Sequence, residues 1–274
     1  MHLLIFGLGY AASRIGGALE QRGWRVQGTT RDGRGGSIAF GDDAAVAHAI
    51  GHATHVLSSV PPDGDDPVLA RYGDRLGGKW LGYLSSTGVY GDTGGAWVDE
   101  SAPIIGRRPA RNAADAAWLA IGARVFRLPG IYGPGRSPLD RVAGGKAHRV
   151  DLPGQVFSRV HVDDIASGVV AALDAPVGAY NLADDHPCSQ NEVVEFAANL
   201  LGMSPPPFVP LDSLTTMGRS FYGENRRVAN GKAKRLLGWA PVWPDYRLGL
   251  RALSATTSPM HASTAPDAAS SDQR

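Results

Sequence analysis

The chain has 274 residues, 43% of them hydrophobic, enough to bury a core in one large domain or in a domain with an added lobe. Lys and Arg number 27 against 26 Asp and Glu, and this near-balance argues against nucleic acid or an anionic membrane as partner. The N-terminus has neither a basic region nor a long apolar segment, which predicts a soluble cytoplasmic protein. The one cysteine, Cys188, rules out an intrachain disulfide framework and reads as a packing residue.

In chain order, Leu3-Leu4-Ile5-Phe6 is an apolar run of strand character. It passes through Gly7-x-Gly9-x-x-Ala12 into a segment with Ile15, Ala18 and Leu19 on one helical face and Gly23 at its stop. Strand, glycine turn and helix in this order suit a dinucleotide. Gly7 permits the tight turn, Gly9 leaves room for a pyrophosphate over the helix N-terminus, and the small Ala12 lets helix and strand pack closely. Trp24 to Thr30 is the second strand. At its end an NAD site usually presents a carboxylate to the ribose 2′-hydroxyl, whereas a 2′-phosphate requires positive charge. Here Thr30 is followed by Arg31 and Arg34, which favours NADP, with NAD as the alternative.

Ser37 to Phe40 is a short strand, followed through Gly41-Asp42-Asp43 by a helix from about Ala44 to Ile50. His48, His52 and His55 have metal-like spacing, but no cysteine or carboxylate joins them in sequence. They read as surface or packing residues, and no metal site is expected. Thr54 to Val60 is the fourth strand, and the loop Pro61 to Pro67 at its end falls beside a cofactor crevice. The next strand, from Trp80, ends in Ser85-Ser86-Thr87-Gly88-Val89-Tyr90-Gly91. Hydroxyls at such a strand end can polarise a substrate carbonyl or alcohol.

Several motifs occur together in one known group of proteins: the glycine turn, Leu84 to Gly91, Arg127-Leu128-Pro129-Gly130-Ile131-Tyr132-Gly133-Pro134, His161-Val162-Asp163-Asp164-Ile165-Ala166, the Tyr180-Asn181-Leu182 strand, and Asn230-x-Lys232-x-Lys234-x-x-Leu237-Gly238-Trp239. Over about residues 1 to 250 the chain resembles the extended short-chain dehydrogenase/reductase superfamily, nearest its NAD-dependent epimerase/dehydratase family. The resemblance implies an α/β fold, a Rossmann-type doubly wound parallel sheet of about seven strands with a small C-terminal substrate lobe. It implies an NAD(P)-binding domain over residues 1–183, with an excursion near 137–159, and a substrate lobe over 184–253. It also sets Gly7, Gly9, Tyr10, Ala12, Arg31, Asp42, Ser58, Val60, Ser85, Pro129, Gly130 and Ile131 along the cofactor and Ser86 at the reacting oxygen.

The resemblance also exposes a departure. After an acidic loop like Val98 to Pro103, the family carries Tyr-x-x-x-Lys, in which the tyrosine is the general acid/base and the lysine lowers its pKa. Those slots fall on or near Arg111 and Asp115, and no tyrosine or lysine lies between Gly91 and Tyr132. Arginine does not deprotonate in this range and cannot replace the tyrosine. Arg111 reads in two ways: it holds a substrate carboxylate or phosphate or stabilises negative charge developing beside the nicotinamide, or it pairs with Asp115 along an exposed helix turn.

Farther on, Leu139 to Ala147 reads as helix. Asp163 and Asp164 open a helix whose dipole they suit, with His161 as a buried, hydrogen-bonded neighbour. Ser189-x-x-Glu192 is a capping box. The arginines of Arg219 to Arg227 read as solvated charge, with a diphosphate grip as the alternative that the resemblance implies. Past Leu253 the composition predicts a disordered tail over 254–274. The resulting expectation is an NADP-dependent oxidoreductase or epimerase/dehydratase-like enzyme acting on a polar, anionic small molecule such as a nucleotide sugar, with Ser86 and Arg111 at its catalytic centre. The alternative is a non-catalytic NAD(P)-binding sensor or partner protein. A homodimer through helices near residues 93 to 122 follows from family analogy alone.

Overall fold

A computed structural model describes residues 1–257, apart from the side chains of Met217 and Thr257. The strands, in chain order, are β1 (His2–Phe6), β2 (Arg25–Thr30), β3 (Ile38–Ala39), β4 (His55–Ser58), β5 (Trp80–Ser86), β6 (Trp97–Val98), β7 (Arg124–Leu128), β8 (Gly130–Tyr132), β9 (Arg159–His161), β10 (Gly178–Asn181) and β11 (Arg227–Val228). The helices are α1 (Tyr10–Glu20), α2 (Asp43–His52), α3 (Pro67–Tyr72), α4 (Pro109–Ala120), α5 (Pro138–Ala143), α6 (Val162–Ala171), α7 (Gln190–Leu200), α8 (Thr216–Tyr222), α9 (Gly231–Leu237) and α10 (Tyr246–Thr257).

Seven strands form one sheet in the order β10-β7-β5-β4-β1-β2-β3, with every pairing parallel. Because β1 lies between β2 and β4, the strand order reverses beside it, which is where an open α/β sheet leaves a crevice at its C-terminal edge. Leu3 to Phe6 are all buried, as a central parallel strand covered on both faces requires. Side chains alternate between the two faces. Leu3, Ile5, Leu57 and Phe126 pack under α1 and α6 with Ile15, Leu19, Ile165 and Val169. Leu4, Phe6, Val56, Tyr83 and Val125 pack under α2, α3 and α4 with Val46, Tyr72 and Trp118. A third cluster joins α5, α7 and α10 through Leu139, Val193, Ala197, Tyr246 and Leu250. The two-residue pair β6–β11 ties the chain after α8 to the loop beyond β5. Among the described residues no helix is long and apolar enough to cross a membrane.

Four local expectations are corrected or refined by the structure. The loop from Pro61 ends in α3, because the buried Asp66 carboxylate accepts Val68 N and Leu69 N with Pro67 in the first turn. Helix α5 stops at Ala143, four residues early, at a Gly144-Gly145 pair whose second glycine has φ +64°. Asp163 and Asp164 stand in the first turn of α6, where their charge suits its dipole, but the cap itself is made by His161. His161 Nδ1 accepts Asp163 N, Asp163 pairs with Arg14, and the buried Asp164 accepts Val242 N and Trp243 N, holding the segment before α10. Finally, α10 continues through Thr257, so residues 254–257 of the expected tail are helical, seated through Leu250 and Leu253 against the α7 cluster. The remainder of that tail, 258–274, lies outside the described residues. Elsewhere the Ser189–Glu192 capping box forms as expected.

Two packing details carry tests. A Cβ on Gly28 would run into Leu8 Cγ, so the glycine turn is seated on β2 through the missing side chain. Gly28→Ala is expected to cost about 1–3 kcal/mol by overpacking and to weaken dinucleotide binding; an unaltered denaturation midpoint would show that Leu8 moves aside freely. The second detail is Asp184, 2% exposed, with one carboxylate oxygen accepting His186 N and the other without a partner among the described residues. Burial pushes its pKa up to about 8. Unfolded, it would ionise near pH ~4. Between these values the folded protein holds a proton that the unfolded chain releases, so this contribution to stability falls as pH rises through the window. Asp184→Asn should raise the melting temperature by a few degrees, roughly the effect of 1 kcal/mol, at pH 8.5 but not at pH 4.

Candidate active site

Two hollows open at the C-terminal edge of the sheet. The first, about 1220 Å³, is lined by Gly7, Leu8 and Gly9, by Thr29 to Asp32 and Arg34, by Phe40 and Gly41, and by Ser59 to Asp63 and Pro67. Gly7 has φ +83°, and a Cβ there would sit 3.1 Å from Ser59 Oγ and Val60 Cγ2. A Cβ on Gly9 would meet nothing within 4 Å. It would project into the cleft, over the start of α1, where no side chain caps the helix and no acidic residue occupies the first turn.

Of the residues assigned to the cofactor, Gly7, Gly9, Arg31 and Val60 line this cleft. Ala12 and Ser58 are buried beneath it, in keeping with the close helix–strand packing that a small residue permits. Tyr10 donates its phenol to Pro134 O (3.0 Å) beneath the Arg136 guanidinium, and burial raises its pKa, so it stays protonated. Asp42 is turned away, accepting Ala45 N at the start of α2 (3.0 Å). Ser59 was not anticipated. Its hydroxyl donates to Gly7 O and fixes the turn, a role invisible until β4 is placed beside β1.

The second hollow, about 310 Å³, lies between the end of β5 (Ser86, Thr87, Gly88), the turn Pro129-Gly130 after β7, the arginines 107, 108 and 111, and a wall of Val156, Phe157, Phe221, Glu224, Arg226 and Val228. Ser86 and Arg111, anticipated as catalytic, meet here. Ser86 Oγ accepts Gly88 N (3.1 Å), leaving its own proton to give. Arg107 and Arg226 both pair with Glu224, at 3.0 and 2.8 Å, and Arg226 also donates to Gly91 O. Arg226 is therefore part of a lined cavity rather than solvated charge, because β6–β11 draws its segment against the β5 loop. Arg219 turns instead to the carbonyls of Asp212 and Leu214.

Behind this cavity lies a buried polar network. Arg127 makes a two-pronged pair with Asp115, Nη2 to Oδ1 at 2.7 Å and Nε to Oδ2 at 3.1 Å, with side chains 3% and 1% exposed. Ser85 Oγ donates to the same carboxylate (2.6 Å). Arg127 also donates to Tyr90 OH, which donates to Asn181 Oδ1 (2.7 Å). Ser85 thus faces the interior and lines neither hollow, and Ile131 packs against the core. The pairing of Arg111 with Asp115 expected as one alternative does not form. Asp115 shares the inward face of α4 with Ala114 and Trp118, whereas Arg111 faces the cavity and has no carboxylate within 4 Å among the described residues. Burial pushes the Tyr90 phenol up to about 12, which removes it as an acid/base at neutral pH. Among the described residues no tyrosine or lysine lines the cavity.

No family model matches the chain. It is 41% identical to a functionally unknown conserved protein from Silicibacter pomeroyi DSS, whose structure aligns with a TM-score of 0.83 over 93% of this chain and 98% of that one. Protein YeeZ of Escherichia coli (strain K12) is 29% identical over 283 residues, 88% of this chain and 96% of YeeZ. The human epimerase family protein SDR39U1 (isoform2), solved with NADPH, aligns with a TM-score of 0.74 at 17% identity, over 93% of this chain and 99% of that one. That last likeness is one of fold.

The network and the cavity respond differently to substitution. Asp115→Ala strands a buried guanidinium and should cost about 3–5 kcal/mol in chemical denaturation. Arg111→Ala removes no partner and should stay within about 0.5 kcal/mol of the parent. Equal losses would mean that Arg111 helps to hold α4.

Proposed function

Given that the chain belongs to the family of the Silicibacter pomeroyi protein and has the fold of the extended short-chain dehydrogenases/reductases, nearest the NAD-dependent epimerase/dehydratase group, we propose that it is an NADP-dependent oxidoreductase or epimerase-like enzyme acting on a small anionic substrate. The observation that carries this reading is the meeting of Ser86 and Arg111 in one cavity beside Pro129-Gly130, at the same sheet edge as the glycine turn. The cleft fits a dinucleotide. Gly9 leaves space over the helix N-terminus, and Arg31 and Arg34 supply charge for a 2′-phosphate. The acid Asp32 is also exposed and lines the cleft, with its Oδ1 accepting from Thr30 Oγ1 (3.2 Å), so just after β2 positive charge outnumbers negative two to one. Such a cofactor, when bound, supplies hydride exchange with a substrate carbon.

The protein's own contribution is orientation and charge. The Ser86 hydroxyl donates to the reacting oxygen, and Arg111 supplies positive charge to the anionic substrate without delivering a proton. Pro129 and Gly130 present a flat backbone wall. A second reading, an NAD(P)-binding protein without turnover, is favoured by one observation: Asp115 in the lysine slot is consumed by Arg127, so the usual proton-transfer pair has no counterpart.

Ser86→Ala should lower kcat about 10²–10³-fold while leaving NADPH affinity by calorimetry unchanged. Tight NADPH binding without oxidation in the presence of any ketone, aldehyde or sugar nucleotide would instead support the non-catalytic reading. The double variant Arg31→Ala/Arg34→Ala should weaken NADPH at least tenfold and spare NADH; an equal loss for both would overturn the 2′-phosphate assignment.

A further inference from the structure

We infer that the Ser86 cavity selects a small acid with a flat apolar body, its single oxyanion held by Arg108 and Arg111 and its ring laid against Phe221. This deepens the proposed hydride-transfer reading of the same cavity and rests on it. The argument begins with the guanidinium groups. Four face the cavity, and the carboxylate of Glu224 engages two of them, Arg107 and Arg226. Arg226 is spent further on Gly91 O, and Arg107 on Ser220 O. Arg108 and Arg111 have neither a side-chain hydrogen bond nor an ion pair among the described residues. They stand three positions apart at the start of α4, on neighbouring faces of one turn. Two unspent guanidinium forks converging on a hollow match a carboxylate or phosphate oxyanion.

The opposite wall specifies the rest of the molecule. Phe221 stacks on Phe157 with ring centroids 4.3 Å apart and planes 12° apart, yet remains 48% exposed where it lines the cavity. A large aromatic half in water beside Val156 and Val228 offers a face on which another ring extends the stack. Size supplies the last constraint. At about 310 Å³ the hollow is near the lower limit of small-molecule sites, roughly 300–1,000 Å³, which suits a one-ring acid better than a base, diphosphate and sugar together. The arginine available to grip a diphosphate from this lobe, Arg226, is already closed on Glu224 and Gly91 O.

The test is titration calorimetry of the full chain saturated with NADPH against cinnamate, phenyl phosphate, the neutral cinnamamide and UDP-glucose. Cinnamate or phenyl phosphate should bind and cinnamamide should not; comparison of the two acids identifies the oxyanion. Arg108→Ala and Arg111→Ala should each weaken the bound acid at least tenfold, Phe221→Ala should weaken it severalfold, and none should change NADPH affinity. Tighter binding of UDP-glucose than of either acid would overturn the inference, as would acid binding indifferent to both arginines. Acid binding that survives these controls while no acid, aldehyde or ketone supports NADPH oxidation would overturn the hydride-transfer reading and leave the acid site standing.

Discussion

The Asp115–Arg127 pair is the interaction on which the site depends. Both side chains are almost wholly out of water, and each meets the other's geometry twice, so the pair is stable only as a unit. It fastens α4 to the adjacent strands β5 and β7, draws Ser85 inward, and through Arg127 sets the Tyr90 hydroxyl against Asn181. On α4 and at the end of β5, the network claims the inward-facing side chains and leaves Arg111 and Ser86 to the cavity. The pair also disfavours a lysine at position 115. A second cation beside Arg127 would be buried without compensation, since the carboxylate that neutralises the guanidinium would be gone.

Anchoring α4 in this way leaves its first turn free to present Arg108 and Arg111 across from Ser86. The α4 side of the hollow thereby presents guanidinium groups. Among the described residues the walls of the hollow hold arginines, one carboxylate, hydroxyls and apolar side chains, with no phenol or amine. The cofactor cleft is built by different means. There the backbone does most of the work: a positive-φ glycine, a second glycine that leaves open space, and a helix start without a cap. The two hollows share only the sheet edge where strand order reverses, which places a dinucleotide turn and a strand-end serine on the same side of the molecule.

Much of the architecture was legible because it rests on short-range patterns. The run Leu3 to Phe6, the glycine spacing after it and the hydroxyl-rich end of β5 each declare their element locally, and the seven-stranded parallel sheet follows. The elements that escaped were set by partners distant in sequence. Helix α3 depends on Asp66, which caps it and also accepts Trp118 Nε1 from α4. The role of Asp164 depends on the chain at residues 242–243, almost eighty positions away. The end of α10 depends on the face it lays on α7, which outweighs a composition that reads as tail.

By itself the sequence determined that Gly7, Gly9 and Ala12 follow β1 at the spacing of a glycine turn, that arginines follow β2, and that α4 carries neither tyrosine nor lysine. These are statements about which residue types stand at which spacing, and spacing is enough to decide them. It could not decide the fate of Asp115 or Arg226. Four positions along a helix from Arg111, Asp115 reads as an exposed ion-pair partner, and only the packing of α4 on β5 and β7 shows that it turns inward to an arginine on a strand. Arg226 reads as solvent charge until β6–β11 folds its segment over the cavity. In both cases the outcome is set by which surface an element buries, and that is a property of the assembled fold.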